Sequence, residues 1–340
     1  KMDIIITDHH QPDTDSVPDA LALVNPHLPN SVYPFDKLCG AGIAFKLVQA
    51  LCNSLGMGYE YYNYIDLACL GTVADIVELT GENRIIVSTG LRKIRKAPNP
   101  GIQALMNVAD IRNDSIDAWK LAFIIAPRIN AAGRMGDASR AVKLLTSRDL
   151  PYNEDLARRL HNDNNLRQKI QTEIFQKAVE IIENDPGYIK QKVIVVYGDN
   201  WHKGVIGIVA SMLAEHYYKP CFVMSVIDDE AVCSARSIDG FNIYDGMEYC
   251  RDLLVRFGGH EKAGGLTIKK SNIEKFRERI NEFAEQVFDS TCMIQKLKID
   301  ADVKLEEINT ETANYLLSMA PFGEGNPSPL LRLKEVNVLE

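Results

Sequence analysis

With 340 residues, 46% of them hydrophobic and 25% charged, the chain carries enough apolar material for two or three buried cores, which excludes an intrinsically disordered protein. Its formal net charge of −8 excludes a protein that coats nucleic acid by bulk electrostatics; a site that binds divalent ions through carboxylates escapes this objection, because the ions reverse the local field. No apolar run is long enough to span a bilayer, and seven cysteines without a C-x-x-C pair, from Cys39 to Cys292, read as buried thiols of a reducing cytoplasm rather than as disulfides or a zinc framework.

The chain opens directly into the apolar run Met2 to Ile6, with no cap or turn before it, and so reads as a piece of something longer. From there to about Ser147 apolar runs alternate with helical patterns, as in an α/β domain. Leu156, Leu160, Ile170, Ile174, Ala178 and Ile181 then fall largely at three- and four-residue spacings with charged residues between them, predicting one long amphipathic helix over 152–185 that Asp185-Pro186-Gly187 ends. A second α/β unit follows, with strands expected at Val193 to Tyr197, Cys221 to Val226 and Leu266 to Ile268, and helices at Gly204 to His216 and Asn272 to Phe288. From Lys296 the alternation Leu297-Ile299-Ala301-Val303, a short helix at Thr310 to Met319 and the turn-rich Pro321 to Pro327 mark the start of a small β-domain.

Several segments carry chemistry. Ile4-Ile5-Ile6-Thr7-Asp8-His9-His10 is a buried-strand pattern that delivers a carboxylate and two imidazoles to the strand's C-terminal end, where open α/β sheets bind ligands; read alone, it equally suits a hydrogen-bonded loop. Asp75, in Gly71-Thr72-Val73-Ala74-Asp75-Ile76-Val77, lies among apolar residues and must be paired, metal-bound or the cap of the next helix. Arg128, Asn130 and Arg134 stand on an expected Pro- and Gly-bounded loop, Pro127 to Gly136, and suit phosphate and sugar contacts or a surface connection. Trp201-His202-Lys203-Gly204 opens a helix whose N-terminus would attract an anion. Ser234-Ala235-Arg236-Ser237 sets a guanidinium between hydroxyls, and Gly258-Gly259-His260 with Gly264-Gly265 sets an imidazole between glycine pairs, where a phosphate can lie against the backbone or the histidine is simply structural.

In this order, the D-H-H triplet, G-T-V-A-D-x-V, P-R-I-N-A-A-G-R, W-H-x-G-V-I-G-I-V-A, S-x-R-S-I-x-G-F-N-I-Y-D, G-G-H-x-x-A-G-G and P-F-G-E-G-N-P resemble the RecJ-type single-strand-specific exonucleases of the DHH phosphoesterase superfamily, over nearly the whole chain. The resemblance implies an α/β fold: the C-terminal portion of a DHH domain with a parallel sheet and helices over 1–150, a connecting helix over 151–186, a DHHA1 domain over 187–292 and the start of an OB-fold domain over 293–340. It implies 5′-to-3′ hydrolysis of single-stranded DNA with two Mn²⁺ (or Mg²⁺) ions, a role in recombination and repair in the cytoplasm, and a single-strand-binding protein and a helicase as partners. By position it makes His9 and Asp75 metal ligands, with Asp8 in the metal site orienting His9 and His10 near the scissile phosphate. Arg128, Asn130 and Arg134 would line the strand's path, His202 would stand at an anion-attracting helix end, Ser234 and Arg236 would grip the 5′-phosphate, and Gly259 and His260 would meet backbone phosphate or sugar.

The family's earlier D-x-D motif has no counterpart upstream of Lys1, so the chain as written is expected to bind metal weakly and to be inactive. Two other readings stay open: a DHH–DHHA1 phosphodiesterase for short oligonucleotides or cyclic dinucleotides, and a non-catalytic DNA-binding relative.

Overall fold

A computed structural model of the chain describes residues 2–12, 17–289 and 294–334. The chain packs into two units, one made of Lys1–Asn164 with Lys298–Glu340 and the other of Asn165–Leu297. The boundary expected at residues 292–293, and Cys292 with it, lies outside the described residues; the six described cysteines are buried free thiols.

The first unit begins with a parallel pair, β1 (Ile5–Thr7) and β2 (Ala22–Val24), with Ile5 opposite Ala22 and Thr7 opposite Val24. The apolar run predicts a buried strand, yet Ile4 is 51% and Ile5 60% exposed. The pattern is right for a strand covered on both faces, but among the described residues β1 pairs with β2 alone and this face has no covering layer.

Helices follow: α1 (Gly40–Ser54), α2 (Ile65–Ala74), α3 (Gly81–Lys96) and α4 (Pro100–Val108). Seven of the ten α2 residues are buried, as suits a helix apolar on all sides at the middle of a bundle. Its neighbours come close because of two glycines: a Cβ on Gly71 would lie 2.3 Å from that of Ala41 in α1, and one on Gly90 of α3 would lie 2.2 Å from that of Cys69. Asp66, 1% exposed at the start of α2, is held by the Lys93 ammonium (2.9 Å) and the Asn99 backbone N–H (2.9 Å). A single turn α5 (Ala118–Lys120), a π turn over Leu121–Ile125, α6 (Ala126–Met135) and α7 (Ser139–Thr146) complete the bundle.

The loop expected at Pro127 to Gly136 is α6 instead. Pro127 sits in its first turn, where a missing N–H costs nothing; Ala131 and Ala132 are fully buried, and Gly136 follows its last residue.

The long helix forms as expected: α8 (Leu150–Asn184) is followed by α9 (Pro186–Lys190), with Asp185 between them accepting from the Gly187 N–H (2.8 Å). Leu156, Ala157 and Leu160 belong to the core of the first unit, and Ile174, Ala178 and Ile182 to a core of the second. The periodicity singles out Ile181, but that residue is 37% exposed and Ile182 is buried, since the stripe keeps the 174-178-182 spacing.

In the second unit a five-stranded sheet runs in the order β3-β4-β5-β7-β6, from β3 (Ile194–Asp199), β4 (Cys221–Ile227), β5 (Glu230–Arg236), β6 (Leu254–Gly259) and β7 (Ala263–Lys269). The β3–β4 pair is parallel and the other pairs are antiparallel. Both faces are covered, so β3 and β4 are continuous apolar runs: Val195, Phe222 and Met224 pack in one core, and Ile194, Val196 and Val223 in the other. The first core includes α11 (Ile243–Tyr249) and α12 (Ile273–Val287); the second includes α10 (Lys203–Tyr217).

Residues 298–334 return to the first unit. Of the strand expected from Leu297 only β8 (Ala301–Val303) forms; it pairs in parallel with β9 (Leu331–Leu333), and α13 (Thr310–Ser318) lies between them in sequence. Pro321 to Pro327 is a turn, closed by reciprocal Gly323–Asn326 backbone bonds. It is tied to α3, where Arg84 donates to the carbonyls of Met319 (2.6 Å) and Ala320 (3.1 Å), and to Leu79, whose N–H donates to the Glu324 carbonyl (2.7 Å).

Candidate metal and phosphate site

Asp8, His9 and His10 leave the end of β1 directly. One Asp8 carboxylate oxygen accepts from the His9 N–H (2.7 Å), the His10 N–H (3.2 Å) and the His10 ring Nδ1 (2.8 Å). The bond from the His10 ring, with those two backbone bonds, holds the Asp8 carboxyl below the usual carboxylate range. The expected partnership between Asp8 and the His9 ring is therefore not what the geometry shows: Asp8 touches His9 through its backbone and orients the ring of His10. The His9 ring turns instead to Asp75, with Nδ1 3.6 Å from a carboxylate oxygen. It also lies 3.5 Å from where a side chain on Gly40, the first residue of α1, would begin.

Asp75 is at the C-terminal end of α2. It does not cap the next helix, which begins at Gly81 after Thr80. Its N–H closes onto the Gly71 carbonyl (3.1 Å), and Ile76 after it takes a left-handed backbone, φ 56°, which a β-branched residue adopts only under strain. The side chains of Asp8, His9 and Asp75 are 43%, 22% and 43% exposed, so the cluster opens to solvent.

One ligand atom from each of Asp8, His9 and His10 can be chosen so that all lie within 4.8 Å of one another. With Asp75 beside His9, the set offers two imidazoles and two carboxylates, a mixed nitrogen and oxygen environment that fits Mn²⁺ better than Ca²⁺.

The π turn and α6 both pack against α2, the helix that ends at Asp75. Asn130 and Arg134, four apart, are exposed on one face of α6. Arg128 is partly buried and already engaged: Nε donates to His161 Nδ1 (3.2 Å) and Nη1 to the Ile124 carbonyl. Burial pulls the Arg128 guanidinium below its ordinary value, and burial together with the Arg128 charge does the same to His161. His161 stands against Arg128, and Asn25, with His27 and Gln11 behind it, against the His10 carbonyl, without belonging to any sequence motif. Only contact in the fold reveals them.

The remaining expected residues lie in the second unit. His202 opens α10 by accepting the Gly204 N–H on its ring Nδ1 (3.1 Å). Ser234 and Arg236 point from β5 toward the same helix: a Cβ on Gly207 would lie 3.4 Å from Ser234 Oγ and 3.6 Å from Arg236 Nη2. Across the sheet Ser234 is registered with Gly265, and Gly265 with Gly258, where an added Cβ would meet nothing within 4 Å. Beside Ser234 the sheet therefore presents bare backbone, whereas Arg236 is registered with Ala263. His260 is exposed at the tip of the β6–β7 hairpin, its N–H on the Ala263 carbonyl (2.8 Å).

Three family models match the chain: "DHH family, N-terminal domain" over residues 1–72, "DHHA1 domain" over 190–286 and "RecJ OB domain" over 299–340. The single-stranded-DNA-specific exonuclease RecJ of Bacillus subtilis is 37% identical over all of the chain and 42% of its own length. Among solved structures, Thermus thermophilus RecJ with Mn²⁺ superposes with a TM-score of 0.86 at 32% identity, covering 97% of this chain and 48% of that one; RecJ from the same organism is also solved with Mg²⁺. A manganese-bound exonuclease RecJ gives 0.71 at 32% identity, over 86% of this chain and 71% of the other. The chain spans 42% to 60% of the length of the cellular RecJ relatives it matches. Among the described residues no helix is long and apolar enough to cross a membrane.

Proposed function

The chain belongs to the RecJ family of DHH phosphoesterases, and from that premise we propose that it carries part of the reaction centre of a 5′-to-3′ exonuclease for single-stranded DNA. The observation that carries the reading is the convergence of His9 and Asp75, 66 positions apart in sequence and 3.6 Å apart in space, next to Asp8 and His10. A structural ion pair has no need of two further donors on the same exposed loop; a cation site does.

His9, Asp75 and Asp8 would hold divalent ions, Mn²⁺ or Mg²⁺. Two such ions, when bound, supply Lewis-acid stabilisation of the phosphorus-centred charge and make water nucleophilic at neutral pH. The chain's own residues do the rest. The Asp8 carboxylate keeps the His10 ring in place beside the reacting phosphate, with the His10 Nδ1 proton facing Asp8 and Nε2 turned outward. Asn130 and Arg134 follow the strand along α6. In the second unit the start of α10, Ser234 and Arg236 form a pocket of N–H, hydroxyl and guanidinium donors suited to a terminal 5′-phosphate, and the bare Gly258–Gly265 backbone lets a sugar approach His260. Reading the 5′ end in this way imposes polarity. On this reading the protein would act in recombination and repair, with a single-strand-binding protein and a helicase as partners.

In the full-length protein, His9→Ala and Asp75→Ala are each expected to lower mononucleotide release from 5′-phosphorylated single strands by about three orders of magnitude, since an ion's stabilisation of the transition state amounts to several kcal/mol. The thermal midpoint should hold within a few degrees, because neither side chain is in the core. Unchanged turnover in both variants would remove the reading. Substrates of two or three nucleotides, cleaved faster than long strands, would move it to the short-oligonucleotide phosphodiesterases.

A further inference from the structure

Asn25 follows the last residue of β2 and is 7% exposed, although it contributes nothing to the apolar cores. Its Nδ2 donates to the carbonyl of His10 (2.8 Å), and its Oδ1 accepts the N–H of His27 (2.9 Å). The orientation is forced: the His27 N–H can meet only an acceptor and the His10 carbonyl only a donor, so the position requires an amide. A third bond closes the circuit, between Gln11 Nε2 and the His27 ring Nδ1 (3.1 Å). The Asp8 N–H, on the Val24 carbonyl (3.0 Å), ties down the near end of the same loop.

We propose that Asn25, backed by His27 and Gln11, is a positioning residue for the Asp8-His9-His10 loop, holding the peptide after His10 so that the two imidazoles are ordered before an ion arrives. The inference rests on the metal reading above. Beyond β1, a strand of three residues, this loop would otherwise sample many backbone states, and fixing one residue costs about 1–2 kcal/mol. Asn25 moves that cost from ion binding to folding. It touches neither the ion nor the substrate and acts through the His10 carbonyl.

Mn²⁺ binding by the full-length protein, followed by the loss of the free-ion electron paramagnetic resonance signal, separates the possibilities. Asn25→Asp keeps the shape and the acceptor for His27 but sets an oxygen against the His10 carbonyl; Asn25→Ala removes both bonds. Both are expected to weaken Mn²⁺ binding about tenfold or more, the usual effect of losing a partner behind a ligand. Turnover should recover at saturating Mn²⁺, which a merely damaged fold would not do. Affinity within twofold of the parent in both variants overturns the proposal. His9→Ala measured alongside distinguishes the failures. If the parent protein binds no Mn²⁺, the metal reading fails and this one with it; if His9→Ala loses binding while Asn25→Asp does not, only the clamp is wrong. Should the Asn25 variants fail to fold, Gln11→Ala, at an exposed position, tests the outer end of the circuit: a loss of threefold or more supports it and unchanged binding sinks it.

Discussion

Arg236 ends β5 with one guanidinium nitrogen on the Ala235 carbonyl (2.7 Å) and another 3.6 Å from where a Gly207 side chain would start. The backbone bond fixes the plane of the group, and the missing side chain at Gly207 lets the guanidinium lie close against the α10 turn. Removing a charge-assisted contact of this kind costs about 1.5–3 kcal/mol, roughly 10- to 100-fold. Arg236→Ala is therefore expected to reduce the preference for 5′-phosphorylated over 5′-hydroxyl single strands by that factor, read as the ratio of kcat/KM values; an equal loss on both ends would contradict the role. Ser234 and Arg236 were legible as a pair because alternation along a strand puts both on one face. The roles within Asp8-His9-His10 were not. Three consecutive polar residues have no periodicity, and which ring Asp8 holds depends on a turn that no spacing encodes. Asn25 was invisible for a related reason: its work is done across a gap of 15 residues by a side chain type that is common in loops.

At the scale of elements, the β6–β7 hairpin shows how a short motif is built by backbone conformation. Gly259 has φ 148°, and a Cβ there would lie 2.4 Å from the Ala263 carbonyl oxygen and 2.5 Å from the Gly264 Cα, so only glycine closes the hairpin beneath His260. Gly259→Ala must shift the Ala263 carbonyl that accepts the His260 N–H, at a cost of about 1–3 kcal/mol of local strain. Amide hydrogen exchange should show the His260 amide losing protection while those of β4 keep theirs, with single-strand affinity falling in step. Protection of His260 equal to the parent's would show that the hairpin tolerates the side chain. The sequence marked this segment through its glycine pairs, a turn signal with a direct steric cause. It misplaced α6 as a loop, because Pro127 and Gly136 are loop markers in general and helix markers only at the first turn and just past the last, a difference of position that burial of Ala131 and Ala132 decides. The exposed side of β1 misled in the opposite sense, since an apolar run states what a strand can bury and not what covers it.

Over the whole molecule, the two units hold separate cores, and each unit carries one of the two tryptophans: Trp119 in the first and Trp201 in the second. Trp201 is 7% exposed inside the core with α10, whereas Trp119 is 60% exposed and lies 5.7 Å from the Phe123 ring. Single-tryptophan variants thus report on the units individually. The long helix was readable in advance from its 3.6 period, and β3, β4 and β7 from their short apolar runs, whereas β5 and β6, the other two strands of the second sheet, were not expected. The return of residues 298–334 to the first unit was not, because it rests on Arg84 reaching three successive carbonyls from Met319 to Pro321, contacts more than 230 positions apart in sequence. Phe276 is fully buried in α12 and meets Phe222 edge-on at 5.3 Å. Phe276→Ala should cost about 3–5 kcal/mol in the second unit, as large-to-small core changes do. In denaturant titrations the Trp201 transition is then expected to move to distinctly lower concentration while that of Trp119 moves little, since Phe276 belongs to a core of the second unit and Trp119 lies in the first. Coincident shifts of both would mean that the chain unfolds as one cooperative body, α8 then coupling the cores tightly enough to override their separate construction.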